Sequence, residues 1–337
     1  MARPDVARHA TASGVRIYAL PLEVFPKFWG NCYLVLADGV ATLVDSGSGL
    51  GNSHEHLLEG FAAVRERWGE SITPADLRRI VITHGHIDHF GGLKLLRGET
   101  DAPITMHASD RRVVANYEGR RALAAQSLGS FLVRAGVDEP QRAALLKMYA
   151  WSKGVFEAMP VAETVEDGDR IDGLMEVIHA PGHCPGQICL RIENVLLSAD
   201  HVLARTSPHL APETIAPGTG LDHYLAALRV VGRLSGIELT LGGHEEPIAD
   251  LPGRLASLFA SHERKLARML DLFRAGPLTI AEISAQVYRN LQGYDELLAL
   301  EEVGAHIEYL YLRGELRIAN VDEHADMLAR AWSYELA

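Results

Sequence analysis

The sequence predicts an α/β fold followed by a smaller, mainly helical C-terminal domain. Two patterns carry this. Up to about residue 250, short β-branched apolar runs bounded by turn residues alternate with amphipathic segments. Beyond it, helical periodicity is almost continuous. A length of 337 residues fits roughly two domains, and 47% hydrophobic against 23% charged residues is enough to bury a sizeable core. We expect a domain over 1–250 with a helical insert at about 109–156, and a second over 251–337.

Taken in order, VRIYALPL, NCYLVLADG and VATLVDSG read as a strand and then a hairpin turning on Asp38-Gly39. Apolar residues recur at helical spacing from Ser53 to Trp68, and Thr73-Pro74-Ala75-Asp76 has a capping residue ahead of a proline at the first helical position. The strand Ile80–Thr83 runs into His84-Gly85-His86-Ile87-Asp88-His89, then Gly91-Gly92, read as letting the backbone pass close to whatever this loop binds. A strand over Pro103–His107 precedes a stretch too long for a loop, Ser109–Phe156, read as helices covering one face. Strands return in MEVIHAPGH, QICLRIENVLLSAD and IELTLGG, with a helix over Leu221–Leu234. Past 250, Thr279-Ile280-Ala281-Glu282 matches a capping box, a helix runs over Asp295–Leu312, and Arg313-Gly314-Glu315 turns into LRIAN. Helix, helix, turn and strand make this segment winged-helix-like.

Charge and composition narrow the function. A net charge of −12 repels a phosphate backbone, so no nucleic-acid partner is expected. The first twenty residues hold no apolar signal core and no uncharged run approaches bilayer length, so we expect no membrane partner and a cytoplasmic protein. Three cysteines, Cys32, Cys184 and Cys189, are too few for a disulfide framework and fit a reducing compartment. Sixteen histidines are the one compositional oddity.

Their placement points to metal chemistry. His84 and His86, two apart in extended chain, project to one side and can share a cation, while Asp88 and His89 turn elsewhere towards a second. Further candidates sit at strand ends. His183 lies in the Pro- and Gly-fixed loop APGHCPG, Asp200 follows VLLSA where a carboxylate can bridge two cations, and His244 ends TLGGH. Asp45, after ATLV, is placed to orient a ligand histidine or the Asp88 loop from behind. Cys184 is read as a small packed residue.

These motifs resemble the metallo-β-lactamase superfamily over roughly residues 15–250, with Thr83–His89 the most specific match. The resemblance implies an αββα sandwich of two mixed sheets with metals at the strand ends. It implies one metal on His84, His86 and His183, another on Asp88, His89 and His244, and Asp200 between them. Two divalent cations, zinc by preference and iron or manganese by the same ligand chemistry, would supply a metal-bridging hydroxide, with Asp88 as the catalytic proton carrier. Phe25, Phe28 and Trp29 on the entry loop, with His201, His209 and Tyr224 and also Tyr117 and Trp151, are candidate substrate-binding residues. An apolar rim favours a small ester, thioester or lactone.

The rival readings are a glyoxalase II-like thioesterase, a hydrolytic dehalogenase, and an endoribonuclease, whose group carries a similar C-terminal extension. From residue 251 onward nine basic residues face thirteen acidic ones, against the usual sign for gripping RNA. The extension is therefore read as a packing, dimerising or pocket-closing element, with a homodimer in view.

Overall fold

The computed structural model describes residues 3–152, 156–322 and 324–337, without the side chains of 151 and 152. The candidate Trp151 thus lies outside the described side chains. Contacts divide the chain into two units. The first holds Met1–Tyr117, Phe156–Pro208 and Ala227–Leu255, and the second holds Glu118–Val155, His209–Ala226 and Ala256–Ala337.

In the first unit a seven-stranded sheet runs in chain order: β1 (Ala7–Ala10), β2 (Arg16–Phe25), β3 (Phe28–Ala37), β4 (Val40–Val44), β5 (Arg79–Ile82), β6 (Ile104–His107) and β7 (Glu163–Val165). Strands β1 to β4 pair antiparallel and β4 to β7 parallel. The β3–β4 hairpin turns on Asp38 and Gly39, both at positive φ (47° and 78°), as a twist-matched two-residue turn requires. The parallel β4–β5 step needs a crossover, which helix α1 (Ser53–Trp68) supplies. Short helices α2 (Ile87–Phe90) and α3 (Leu93–Leu96) follow β5, and α4 (Arg111–Ala115) follows β6.

A five-stranded sheet has the order β12 (Leu239–Gly242), β11 (Val195–Ala199), β10 (Ile188–Ile192), β9 (Met175–His179) and β8 (Arg170–Ile171), parallel only between β11 and β12. The two sheets share one core. Ile17, Tyr33, Val35, Val44 and Val81 of the first pack with Val177, Ile188, Leu190, Leu197 and Leu241 of the second. Alternation along β2 sends Tyr18, Leu20 and Leu22 to the other face, where Leu57, Phe61 and Val64 of α1 cover them. Each such fully buried large side chain contributes about 1.5–3 kcal/mol. The sheet-on-sheet sandwich is the architecture the resemblance implies.

In the second unit, α5 (Tyr117–Arg134) and α6 (Glu139–Ser152) supply Leu128, Phe131, Leu132 and Leu145 to a core shared with the C-terminal segment. That segment comprises α8 (Leu251–Leu272), α9 (Ile280–Val287) and α10 (Tyr294–Leu312), with strands β13 (Leu278–Thr279), β14 (Leu316–Ile318) and β15 (Ser333–Leu336) in the antiparallel order β13-β15-β14. Helix α7 (Leu221–Val231) lies earlier in the chain, before β12. The capping box forms: Thr279 Oγ1 accepts from Glu282 N at 3.2 Å and a Glu282 carboxylate oxygen accepts from Thr279 N at 2.8 Å. The division differs from a linear cut at 250. The stretch expected as an insert of the first domain packs with the C-terminal helices, and the first unit ends at Leu255, inside α8. Helix α10 buries Leu300, Val303, Gly304 and Ile307 along with polar Glu301, Glu302 and His306, so it is a central helix rather than a surface one.

Candidate metal centre

All seven predicted ligands lie in the first unit, just beyond strand ends. Residues 84–89 follow β5, His183 sits in the β9–β10 loop, Asp200 directly follows β11, and His244 lies two residues past β12. The parallel pairing of β4, β5 and β6 puts their C-termini along one edge of the first sheet, and that of β11 and β12 does the same in the second. The link between the sheets is direct there, since Ile188 N donates to Thr83 O at 3.0 Å.

Atoms able to ligate a metal fall into overlapping groups within 4.8 Å: His84, His86 and His183 together with Cys184; His84, His89 and Asp200; and Asp88, His89 and His244. His244 Nε2 is 3.4 Å from both Asp88 Oδ2 and Asp200 Oδ2. His89 Nε2 is 3.4 Å from Asp200 Oδ1, and His183 Nε2 is 3.6 Å from Asp200 Oδ2. These separations are long for hydrogen bonds but suit donor atoms spaced around a cation with bonds of about 2.0–2.2 Å. Asp200 thus turns one oxygen to His89 and the other to His183 and His244, the placement a bridging carboxylate needs.

Two observations test whether a cation fits. Buried Nε2 atoms of His84 and His89 have no hydrogen-bond partner, a costly arrangement unless something else engages them. Charge agrees: burial depresses the His89 and His244 imidazoles, yet the facing carboxylates override it, raising His89 well above its usual range and His244 to about 10. The pocket therefore holds positive charge in place. Burial and neighbouring His89 press His84 well below the ordinary range, leaving it a neutral lone-pair donor.

The loop is held from behind. Asp45 accepts from Thr83 N at 2.8 Å and Thr83 Oγ1 at 2.9 Å, and its Oδ2 is 2.7 Å from His89 Nδ1. With Nδ1 engaged there, Nε2 is the His89 nitrogen left to face the site. Likewise His244 Nδ1 is 2.8 Å from Trp29 O, and Thr83 Oγ1 is 3.1 Å from His84 Nδ1.

Sequence reasoning missed Asp110 and took Gly186 and Gly243 only as parts of the APGHCPG and TLGGH loops. Asp110 accepts from Gly85 N at 2.8 Å and fixes the loop between His84 and His86. A Cβ on Gly186 would lie 2.7 Å from Asp110, so this carboxylate is wedged between both histidine-bearing loops. A Cβ on Gly243 would lie 2.3 Å from Asp200 Oδ1 and 2.8 Å from His89 Cε1, so the chain ahead of His244 leaves no room for a side chain at this position. Gly91 and Gly92 act differently from expectation. Their close approach is to the Ser48 and Ser46 carbonyls, 2.3 and 2.0 Å from a built Cβ, not to the ligand atoms.

The substrate-binding candidates separate. Phe28 is 47% exposed, its ring 4.5 Å from that of His244 and 6.4 Å from that of Phe25. Trp29 stacks on His56 at 5.4 Å and joins the site through its backbone carbonyl. His201 is fully buried and its pKa falls to about 3 through burial and neighbouring His183, so it is packing rather than a substrate contact. Tyr224, also fully buried, packs against His262 at 5.4 Å in the second unit; its apolar helical spacing marked core, not rim. His209 belongs to that unit too and is paired with Glu301 at 2.8 Å. Tyr117 is buried against Phe90 and Phe156. Among the described residues, no helix is long and apolar enough to cross a membrane.

The geometry agrees with the comparisons to known proteins. The Burkholderia ambifaria structure described as a beta-lactamase domain protein is 27% identical, with a TM-score of 0.75 over 98% of this chain and 94% of that one. A probable metallo-hydrolase of Bacillus subtilis, YqjP, is 25% identical over 293 residues, 82% of this chain and 86% of its own. The bovine acyl-coenzyme A thioesterase MBLAC2 is 28% identical over 179 residues, 51% of this chain and 58% of its own. The metallo-beta-lactamase superfamily profile matches residues 28–251, a span that carries all seven converging side chains, so this chain belongs to that superfamily and is a metal-dependent hydrolase.

Proposed function

We propose that the chain hydrolyses a small, partly hydrophobic carboxylic ester, thioester or lactone with two divalent cations, zinc by preference. His84, His86 and His183 would hold one, Asp88, His89 and His244 the other, with Asp200 shared. The carrying observation is the Asp200 carboxylate set between imidazoles of both groups, beside buried nitrogens that lack hydrogen bonds. When bound, such a pair supplies solvent of lowered pKa and Lewis-acid polarisation of a carbonyl.

The chain's own residues do the rest. Asp88 has its carboxyl held below the usual carboxylate range; burial opposes this, but His89 and His244 outweigh it. The lowered pKa keeps it ionised, and its side chain is 13% exposed against 9% for Asp200. Asp88 can orient attacking water through one oxygen, accept its proton and pass it to the leaving group. Asp45 keeps His89 in the tautomer that presents Nε2. Exposed Phe28 beside His244 offers an apolar face to an acyl or leaving group. The named activity of MBLAC2 supports the thioester member of the class.

A panel of chromogenic esters, thioesters, lactones, haloaromatics and phosphodiesters, assayed with metal-loaded protein and a chelated control, tests this reading. Chelator-sensitive acyl hydrolysis supports it, and turnover confined to haloaromatics or phosphodiesters overturns it. RNA binding titrated against salt checks the nuclease alternative, for which the acidic C-terminal segment predicts no binding even at low ionic strength.

A further inference from the structure

We propose that His179 is a positioning residue for the cation position of His84, His86 and His183: its imidazole, stacked on that of His107, holds the Pro185 carbonyl and so fixes the loop that presents His183. This proposal rests on the metal-centre reading above. His179 ends β9 and pairs with Ile188 of β10, so the loop between the two strands begins directly after it. Ala180 N closes the base of that loop by donating to Gln187 O at 2.8 Å, and His183 lies near its middle. Pro181 and Pro185 have no N–H to give, and Gly182 takes a φ of 126°. Further along, His179 Nε2 donates to Pro185 O at 2.8 Å, a bond from strand to loop across six positions. A carbonyl oxygen can only accept, so this contact places a proton on His179 Nε2.

His107 sets the plane of that ring. The two imidazoles lie 3.9 Å apart at 11°, a close parallel stack, and His107 is buried. Burial and then neighbouring His179 push the His107 pKa down to about 4, with Asp167 opposing, so His107 is neutral and the stack carries no like-charge repulsion. The same histidine anchors the other loop. Asp110 N donates to His107 O at 3.1 Å, and the Asp110 carboxylate accepts from Gly85 N between His84 and His86. Gly186, next to Pro185, lies against that aspartate.

One residue at the end of β6 thus joins the supports of three imidazoles, through Asp110 for His84 and His86 and through His179 for His183. The position of Asp88, His89 and His244 is supported differently, by Asp45 behind His89 and the Trp29 carbonyl behind His244. Removing the His179 donor therefore loosens one cation and spares the other.

Zinc competition with a chromogenic chelator on the full chain tests this, comparing wild type with His179→Phe, which keeps a stacking ring without the donor, and His179→Gln, whose amide N–H can replace Nε2–H. The expected result is one of two zinc ions held about 10–100-fold more weakly in His179→Phe, the other unchanged, and recovery towards wild type in His179→Gln. A merely structural His179 would lower the denaturant stability of the metal-free protein without singling out one ion. Both ions held as in wild type, both weakened alike, or equal loss in the two variants overturns the role of His179 and leaves the metal centre standing. No zinc bound by the wild type overturns both. Should neither variant fold, proton–nitrogen correlation spectra of the wild type decide: His179 protonated at Nε2 is expected, and a ring protonated only at Nδ1 overturns the proposal.

Discussion

Replacing Asp45 separates the support of the metal loop from its ligands. The carboxylate is buried, sits at φ 64°, and contacts Thr83 N, Thr83 Oγ1 and His89 Nδ1 within 2.9 Å. In Asp45→Ala the buried Thr83 N–H and His89 Nδ1–H each lose an acceptor, at about 1–3 kcal/mol apiece. Alanine adds about 1–2 kcal/mol for the left-handed backbone. A total of about 3–8 kcal/mol is comparable to the whole stability of a domain, so this variant is expected to fold poorly. Asp45→Asn is the informative change. Asparagine tolerates this backbone and keeps an acceptor for Thr83 N, but its amide cannot serve both Thr83 and His89 as the carboxylate does. Its stability should fall by about 1–2 kcal/mol, within the cost of one compromised buried contact, while metal affinity falls about 10–100-fold. Denaturant unfolding of the metal-free protein gives the first quantity, and competition with a chromogenic chelator gives the second. Unchanged metal affinity in a folded Asp45→Asn protein would refute the idea that this carboxylate orients His89 for a cation.

Three further outcomes are expected. Asp88→Ala should lower kcat about 10²–10⁴-fold with a far smaller change in KM, measured on whichever acyl substrate the panel yields; unchanged kcat removes Asp88 from proton transfer. Gly243→Ala places a methyl 2.3 Å from Asp200 Oδ1, so it should weaken metal retention in equilibrium dialysis, and full retention would show that Asp200 is free to move. Acid should destabilise the second unit through His262, whose pKa falls to about 3 through burial, then His306 and Lys265, with Glu302 opposing and Tyr224 packed on its ring. Because the folded value lies below the unfolded one near 6.5, the neutral form contributes stability in full above about pH 6.5, and that contribution is lost as pH falls towards 3. Between pH 7 and 5 the loss is about 2 kcal/mol. Glu302, held near 2 despite burial by His306 and Lys265, titrates below that window and does not offset it. Unfolding at the two pH values should show the loss in wild type and a shallower slope in His262→Leu; equal slopes contradict it.

What could be read from the chain was governed by how local the determining physics is. Helix α1 spans the expected Ser53–Trp68, and the Asp38-Gly39 hairpin formed as read, because period and turn chemistry act over a few residues. The convergence of the seven candidate side chains was legible for a related reason: each terminates or closely follows a recognisable strand, and the strand ends carry them to one place. The partition of the helices was not, since nothing local in 118–152 announces that Phe131 will lie against Gly304 of α10, closely enough that a Cβ there would meet the ring at 2.7 Å. Aromatic candidates failed similarly. Tyr224 and His201 have polar groups that suggested a binding rim, but burial, set by distant packing, decided their roles. Asp110 looked like an ordinary residue ahead of a helix, and its bond to Gly85 N joins positions 25 apart in the chain.

Elemental analysis combined with anomalous diffraction from a crystal grown with ample zinc tests the central claim most directly. The account predicts two zinc ions per chain, one against His84, His86 and His183 and the other against Asp88, His89 and His244, with Asp200 touching both. Metal-free protein under those conditions, or ions bound elsewhere while these side chains turn away from one another, would contradict it.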